Sequence, residues 1–175
     1  MNNDKISGLE ILRHGNNYFS IKDLNDDIDI SKKRWNILLE MLIDDSSCIY
    51  FHGIELNYTD DNLTNIVSWL NENILVDDSD TNNLLFKIKA SSILLSRNLV
   101  STLWNYYWSP SLIFMNDRKY EDLLRELIEG HFYVKDILEQ IEGIKIIYMG
   151  AERDVLWLQH NFEDLDQDII GQALI

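Results

Sequence analysis

Short apolar segments alternate with polar ones from Leu9 to Leu158, and no linker separates them. The chain has one Pro and seven Gly in 175 residues, so a low-complexity linker is excluded. Hydrophobic residues make up 46%, which is enough to fill a core and too much for a disordered acidic tail. Because the length is close to that of one domain, we expect residues 1–175 to form a single domain whose C-terminal tail frays from about residue 162.

Apolar residues three and four positions apart indicate amphipathic helices in several segments. The segment Leu84–Ile88 also fits a strand, but apolar spacing that continues to Tyr106 favours a helix there. Ser109-Pro110 ends that helix, because a Pro disfavours helical structure in the residue before it. The predicted helices run from Ser31 to Ile43, from Thr59 to Ile74, from Leu84 to Trp108, from Asp117 to Gly130 and from Tyr133 to Ile141.

Other segments are rich in β-branched and aromatic residues, which is typical of strands. His14-Gly15-Asn16-Asn17 predicts a hairpin turn, since Gly and Asn tolerate positive φ. The predicted strands are Leu9 to Arg13, Tyr18 to Ile21, Cys48 to Leu56, Leu112 to Met115, Ile144 to Met149 and Asp154 to Leu158. Helices and strands cluster without strict alternation, so we expect an α+β fold with several amphipathic helices on a small, largely antiparallel sheet.

The charge balance limits the partners of the chain. Fifteen Lys and Arg face thirty Asp and Glu, which gives a formal net charge of -15. Such a chain repels the phosphates of nucleic acids and of anionic membranes, whereas it attracts basic proteins. The N-terminus opens on polar residues with no apolar stretch behind it, and nothing approaches the length of a membrane span. We therefore expect a cytoplasmic protein that binds neither nucleic acid nor membrane.

No sequence motif indicates a particular catalytic reaction, metal site or cofactor. Cys48 is the only cysteine and lies in an apolar run, where a buried structural thiol is expected. A calcium loop starting at Asp78 would have Lys89 where a bidentate Glu is needed. Nucleophile elbows, phosphate loops and dinucleotide fingerprints are missing. We expect no catalytic residue, no metal and no cofactor; an enzyme with a convergent histidine–carboxylate site and a subunit or adaptor of a larger assembly stay open as alternatives.

Candidate partner-binding residues fall in acidic clusters and in one aromatic run. Binding groups are often concentrated in loops on a rigid scaffold. Two acidic clusters, Asp23–Asp29 and Asp77–Asp80, lie in predicted loops. Trp104-Asn105-Tyr106-Tyr107-Trp108 places four large rings in five residues, and a helix cannot bury all of them on one side. Exposed Tyr and Trp often carry binding energy at interfaces. The candidates are Asp23, Asp26, Asp27, Asp29, Asp77, Asp78, Asp80, Trp104, Tyr107 and Trp108.

Acidic stretches at Asp23–Asp29, Asp60-Asp61, Asp77–Asp80 and Glu163–Asp168, beside the aromatic run, give the chain a family resemblance. In size, acidity and missing catalytic motifs it resembles the immunity proteins of bacterial polymorphic-toxin systems, and the contact-dependent growth inhibition type in particular. The resemblance implies one-to-one binding to a cognate toxin domain, often a nuclease. It also implies neutralisation by covering the active site or substrate surface of that toxin.

Overall fold

The computed structural model describes residues 9–15, 17–23, 42, 48–55, 71–78, 83–89, 107–130, 133–149 and 155–161. Within them, eight strands form one sheet in which every neighbouring pair is antiparallel. The strands are β1 (Leu9–Gly15), β2 (Tyr18–Asp23), β3 (Cys48–Glu55), β4 (Asn71–Asp78), β5 (Asn83–Ile88), β6 (Tyr107–Met115), β7 (Ile144–Met149) and β8 (Val155–His160). Their order is β1-β2-β8-β7-β6-β3-β5-β4.

Two short helices follow β6. A 3-10 turn, Arg118–Tyr120, leads into α1 (Glu121–Glu129), and α2 (Val134–Gln140) comes after it. Asp117 caps the turn, because its Oδ1 accepts the Lys119 backbone N–H at 2.9 Å. This hydrogen bond and the neighbouring Lys119 ammonium lower the pKa of the Asp117 carboxyl. None of the described helices is long and apolar enough to cross a membrane.

Asn161, just after β8, fixes the end of α2 against the sheet. Its Oδ1 accepts the Ile144 backbone N–H at 2.9 Å, at the first residue of β7. Its Nδ2 donates to the carbonyls of Leu138 and Ile141, at and just beyond the C-terminus of α2. One side chain therefore satisfies three backbone groups where a helix end would otherwise leave carbonyls without partners.

Both helices pack on one face of the sheet, which we call the helix face. The hydrophobic cluster beneath them draws on β3 to β7, because alternate residues of a strand point to the same face. Its sheet members include Tyr50, Leu85, Ile113 and Ile146, each no more than 1% exposed. The helices contribute Leu124, Leu127, Ile128 and Ile137.

The opposite face of the sheet is buried as well. Leu42 belongs to this side, since its carbonyl accepts the Lys145 ammonium at 3.4 Å in a buried contact. The rings of Phe51 and Phe86 lie 5.3 Å apart, and His160 stacks on Phe19 at 6.0 Å. The other buried side chains of this face are Ile21, Ile49, Ile88, Leu112, Phe114, Ile147 and Leu158.

The expected α+β fold is wrong. Instead of several amphipathic helices on a small sheet, the described residues form mostly one large antiparallel sheet with two short helices. The helix predicted from Leu84 to Trp108 fails at both ends, where the structure has β5 and the start of β6. β5 is buried on both faces, so its apolar residues do not alternate with polar ones, and such a run cannot be distinguished from a helix by periodicity.

Three more local predictions are wrong. Ile74, placed on a helix, lies in β4, and Asp77, Asp78 and Asn83, placed in a loop, belong to β4 and β5. Ser109-Pro110, read as a helix stop, lies inside β6. Other predictions are confirmed. They are the hairpins β1–β2 and β7–β8, strand β3, helices α1 and α2 and the burial of Cys48. The helix from Ser31 to Ile43, apart from Leu42, and the tail from residue 162 lie outside the described residues.

Candidate functional site

The helix face continues past the hydrophobic cluster onto β1, β2 and β8. Among the described residues, that cluster includes no side chain from these three strands. Here three rings, His14, Tyr18 and Trp157, pack together, and we call them the aromatic platform. Tyr18 and Trp157 stack with centroids 4.9 Å apart, while His14 lies 5.5 Å from Tyr18 and 5.2 Å from Trp157. His14 is exposed and the other two rings are half-buried.

Hydrogen bonds hold the platform in place. His14 Nε2 lies 2.7 Å from the hydroxyl of Ser20, a buried residue whose strand register sets it opposite Trp157. Tyr18 forms a hydrogen bond with Tyr148 of β7, which also accepts from Gln159 Nε2 at 2.9 Å. Burial, followed by the hydrogen bond with Tyr18, raises the pKa of the Tyr148 hydroxyl above its ordinary value of 10.0. The rings therefore stand on a hydrogen-bonded base.

A second polar group lies next to Tyr148, towards β5. Ser111 of β6 pairs in register with Tyr148 and places its Oγ 3.5 Å from His52 Nδ1. His52 Nε2 lies 3.1 Å from Asn83 Oδ1. Ser111 is 6% exposed and Asn83 5%, whereas His52 is half-buried. One tautomer suits both contacts: Nε2–H donates to the Asn83 carbonyl oxygen, and Nδ1 accepts from the Ser111 hydroxyl.

A β-bulge lies immediately beside this Ser111–His52–Asn83 group. The register of β3 with β6 shifts between His52 and Ile54, so Ser109 and Pro110 together oppose Gly53. Ser109 has φ 49°, a left-handed conformation that costs a residue with a Cβ about 1–2 kcal/mol. The bulge also explains how a Pro fits within a central strand, where it has no N–H for the ladder.

The Ser111–His52–Asn83 group has the residue types of a catalytic triad: a nucleophile, a base and an amide that orients the base. Its geometry, however, fits a structural role better than a catalytic one. The contact between Ser111 and His52 is at the long limit of a hydrogen bond, and the hydroxyl is nearly inaccessible. Buried polar side chains need partners, and these three provide them for one another. Among the described residues, no three His, Cys, Asp or Glu side chains come together as a metal site.

Two of the acidic candidates lie at the end of the sheet that is far from the aromatic platform. Asp77 and Asp78 end β4, opposite Leu84 and Asn83 of β5. Asp77 is exposed and Asp78 half-buried. The register thus puts Asp78 beside the Asn83 end of the polar group, with four strands between β4 and β8. Both acids lie on a strand that is an edge of the sheet among the described strands.

The structure does not bring the remaining candidates together. Asp23 is the last residue of β2, paired with Leu9. Tyr107 and Trp108 begin β6 opposite Glu55 and Ile54, so the helix on which their exposure was argued does not exist there. Asp26, Asp27, Asp29, Asp80 and Trp104 lie outside the described residues. A contact between any of these residues and a partner stays a prediction.

Sequence reasoning missed the aromatic platform. His14 was assigned only to a turn, and Tyr18 and Trp157 lie more than a hundred residues apart in the chain. The available signal was alternation: Tyr18 and Ser20 share one face of a strand, as do Trp157 and Gln159. Without the pairing of β2 with β8, nothing places these two pairs side by side.

Comparison with known proteins identifies no relative. No family model matches the chain, and neither the curated proteins nor the solved structures include a match.

Proposed function

We propose that this chain is a non-catalytic cytoplasmic binding protein that neutralises a cognate basic toxin domain, with nucleases as the expected toxin class. The net charge of -15 carries the proposal. A nuclease that binds phosphates needs a basic surface, and an acidic protein complements that surface directly. Covering the active site or the substrate surface then blocks the toxin without any reaction.

The charge also predicts how the complex forms. Long-range attraction steers the two proteins together and raises the association rate, and salt weakens it because the Debye length is only about 8 Å at physiological ionic strength. Exposed Asp77, on an edge strand among the described strands, offers a carboxylate to such a partner.

The proposal implies that the reading frame directly upstream of the gene for this chain encodes the toxin. Stopped-flow association with the purified C-terminal domain of that upstream-encoded protein tests the proposal. We expect a one-to-one complex whose association rate falls at least about tenfold between low and high salt. Lysozyme, a basic protein with no cognate surface, is the control and should bind only weakly. Absence of binding to the upstream domain contradicts the proposal, and an association rate that does not change with salt contradicts its electrostatic part.

A matched pair of charge variants locates the acidic contact. Asp77→Asn with Asp78→Asn changes the net charge by the same amount as Glu126→Gln with Glu129→Gln, two exposed glutamates of α1. If β4 contacts the partner, the aspartate pair slows association more than the glutamate pair does. Equal effects would mean that only the total charge matters.

The enzyme alternative has one specific observation in its favour, the Ser111–His52–Asn83 group. An activated serine reacts with fluorophosphonate probes, so labelling of Ser111 that is lost in His52→Ala would support an enzyme. We expect no labelling, because the Ser111 hydroxyl is buried and its contact with His52 is long. The adaptor alternative predicts self-assembly, which a light-scattering mass above that of one 20.6 kDa chain would show.

A further inference from the structure

We infer that the aromatic platform of His14, Tyr18 and Trp157 is the anchor by which this chain holds its basic protein partner. The inference rests on the proposed function and names the surface that carries it. The platform lies on the helix face, beyond the hydrophobic cluster, and its rings are exposed or half-buried rather than sealed in a core.

The composition of the platform is that of a binding hot spot. Trp and Tyr carry a large share of the energy at protein interfaces, since each buries a large apolar area and keeps one polar tip that accepts or donates a hydrogen bond. Leu12, on the neighbouring strand β1, adds an aliphatic side chain that is 41% exposed. Its register partner is Ser20, which lies beneath His14, so this apolar surface is continuous with the platform.

The platform is also held rigid before any partner arrives. The three rings lie 4.9–5.5 Å from one another, and hydrogen bonds fix His14 to Ser20 and Tyr18 to Tyr148. A side chain that is already ordered loses little rotamer entropy on binding, whereas each mobile one costs about 0.5–1.5 kcal/mol. Such an anchor slows dissociation more than it speeds association.

The negative net charge of this chain favours a basic protein as the partner that binds the platform. With a net charge of -15, an acidic partner would be repelled before it reached the platform. Arg13 pairs in register with Phe19, whose side chain belongs to the opposite face of the sheet, and its single positive charge is small beside this surplus. Strand β2 starts at Tyr18 and ends at Asp23, where the acidic segment begins.

The platform and the end of β2 are close enough for one partner to contact both. Five strand steps from Tyr18 to Asp23 span about 17 Å at the usual rise per residue. A standard interface of about 800 Å² per partner corresponds to a disc roughly 30 Å across. An interface centred on the platform therefore has a radius of about 16 Å, so its rim lies close to the end of β2, with the rings in its desolvated middle.

Alanine variants of the platform test this, with the purified upstream-encoded domain as the probe. Trp157→Ala should raise Kd at least about 30-fold, mainly through faster dissociation, and Tyr18→Ala should act in the same direction. The salt dependence of the association rate should persist in both. Tyr133→Ala is the matched control, because Tyr133 is 81% exposed at the start of α2 and lies off the platform. Its Kd should stay within about threefold of wild type.

Thermal unfolding of each variant separates lost binding from lost folding. If Trp157→Ala unfolds early, Trp157→Phe keeps a ring in place, and His14→Ala removes an exposed one; each should still weaken binding. Wild-type Kd in folded platform variants overturns the anchor and leaves the proposed function standing. Failure of the wild-type chain to bind the upstream domain overturns the proposed function, and the anchor with it.

Discussion

The helix face has two halves that share one strand alternation and differ in what lies on them. Beneath α1 and α2 the sheet presents mostly aliphatic side chains, such as Ile113 and Ile146, with almost no exposed area. On β1, β2 and β8 it presents rings with polar tips that are exposed or half-buried. The covered half therefore supplies folding free energy, while the platform half combines apolar area with groups suited to a wet surface.

The platform half contains a contact between a histidine and a serine, and a second contact of this kind lies at the edge of the covered half. His14 and Ser20 meet at 2.7 Å on the platform, with the histidine exposed. His52 and Ser111 meet at 3.5 Å at the edge of the covered half, where the histidine is half-buried and has a second contact to Asn83. Ser20 and Ser111 are both 6% exposed, so the two pairs are expected to differ in stability through the histidine, which contacts one buried side chain on the platform and two at the covered half.

The largest expected effect comes from the covered half. Leu124→Ala, at a position with no exposed area in α1, should lower the free energy of unfolding by about 2–5 kcal/mol, since it removes buried methyl groups and leaves a cavity. Leu12→Ala on the platform side should change it by no more than about 0.5 kcal/mol. Urea unfolding measures both, and equal losses would contradict the division into two halves.

A hydrogen bond under the helices should have a smaller effect, and one that depends on pH. The Tyr50 hydroxyl donates to Glu121 Oε2 at 2.8 Å. Tyr50→Phe should cost about 1.5 kcal/mol, because a hydrogen bond to a charged group is lost. Tyr133→Phe is the exposed control and should cost nothing measurable.

Burial, followed by hydrogen bonds to Cys48 and Glu121, raises the pKa of the Tyr50 hydroxyl well above its ordinary value of 10.0. Because the folded-state pKa is raised, the associated stability is complete below pH 10 and is lost as the pH rises above it, where the unfolded chain ionises first. Urea unfolding from about pH 8 to 11 should show this fall, and Tyr50→Phe should reduce its slope. Identical slopes in the two proteins would show that Tyr50 is not protected from ionisation.

The smallest predicted difference concerns the two histidines. His52→Ala takes a partner from buried Ser111 and from buried Asn83, so it should destabilise the fold by about 1–3 kcal/mol. His14→Ala takes a partner from one buried side chain, Ser20, so it should cost about 1 kcal/mol, less than His52→Ala. Chemical denaturation distinguishes them, and the reverse order would show that the platform half carries stability.

Local sequence signals were enough to predict the elements that are amphipathic or that are bounded by a clear turn. The β1–β2 hairpin follows from Gly15 and its neighbours, and α1 and α2 follow from apolar spacing. Strands β4 and β5 were missed because β5 is apolar on both faces and β4 carries two bulges that break its alternation. The bulge at Ser109-Pro110 concealed the start of β6 for a similar reason, since the Pro is a stop signal in a regular element.

The candidate site was less predictable than the fold. Acidic clusters are visible in a sequence, because like charges stand next to one another. The platform is built by the pairing of β2 with β8, which joins Tyr18 to Trp157 across most of the chain, and strand order is not encoded in any short window. The same limit applies to His52, Ser111 and Asn83, which come from three strands.

Hydrogen–deuterium exchange of the chain, alone and in complex with the upstream-encoded domain, shows which strands the partner covers. We expect the partner to slow exchange in β1, β2 and β8, around Tyr18 and Trp157, and to leave α1 and α2 unchanged. Protection confined to α1 and α2, with β1, β2 and β8 exchanging as in the free chain, would contradict this expectation.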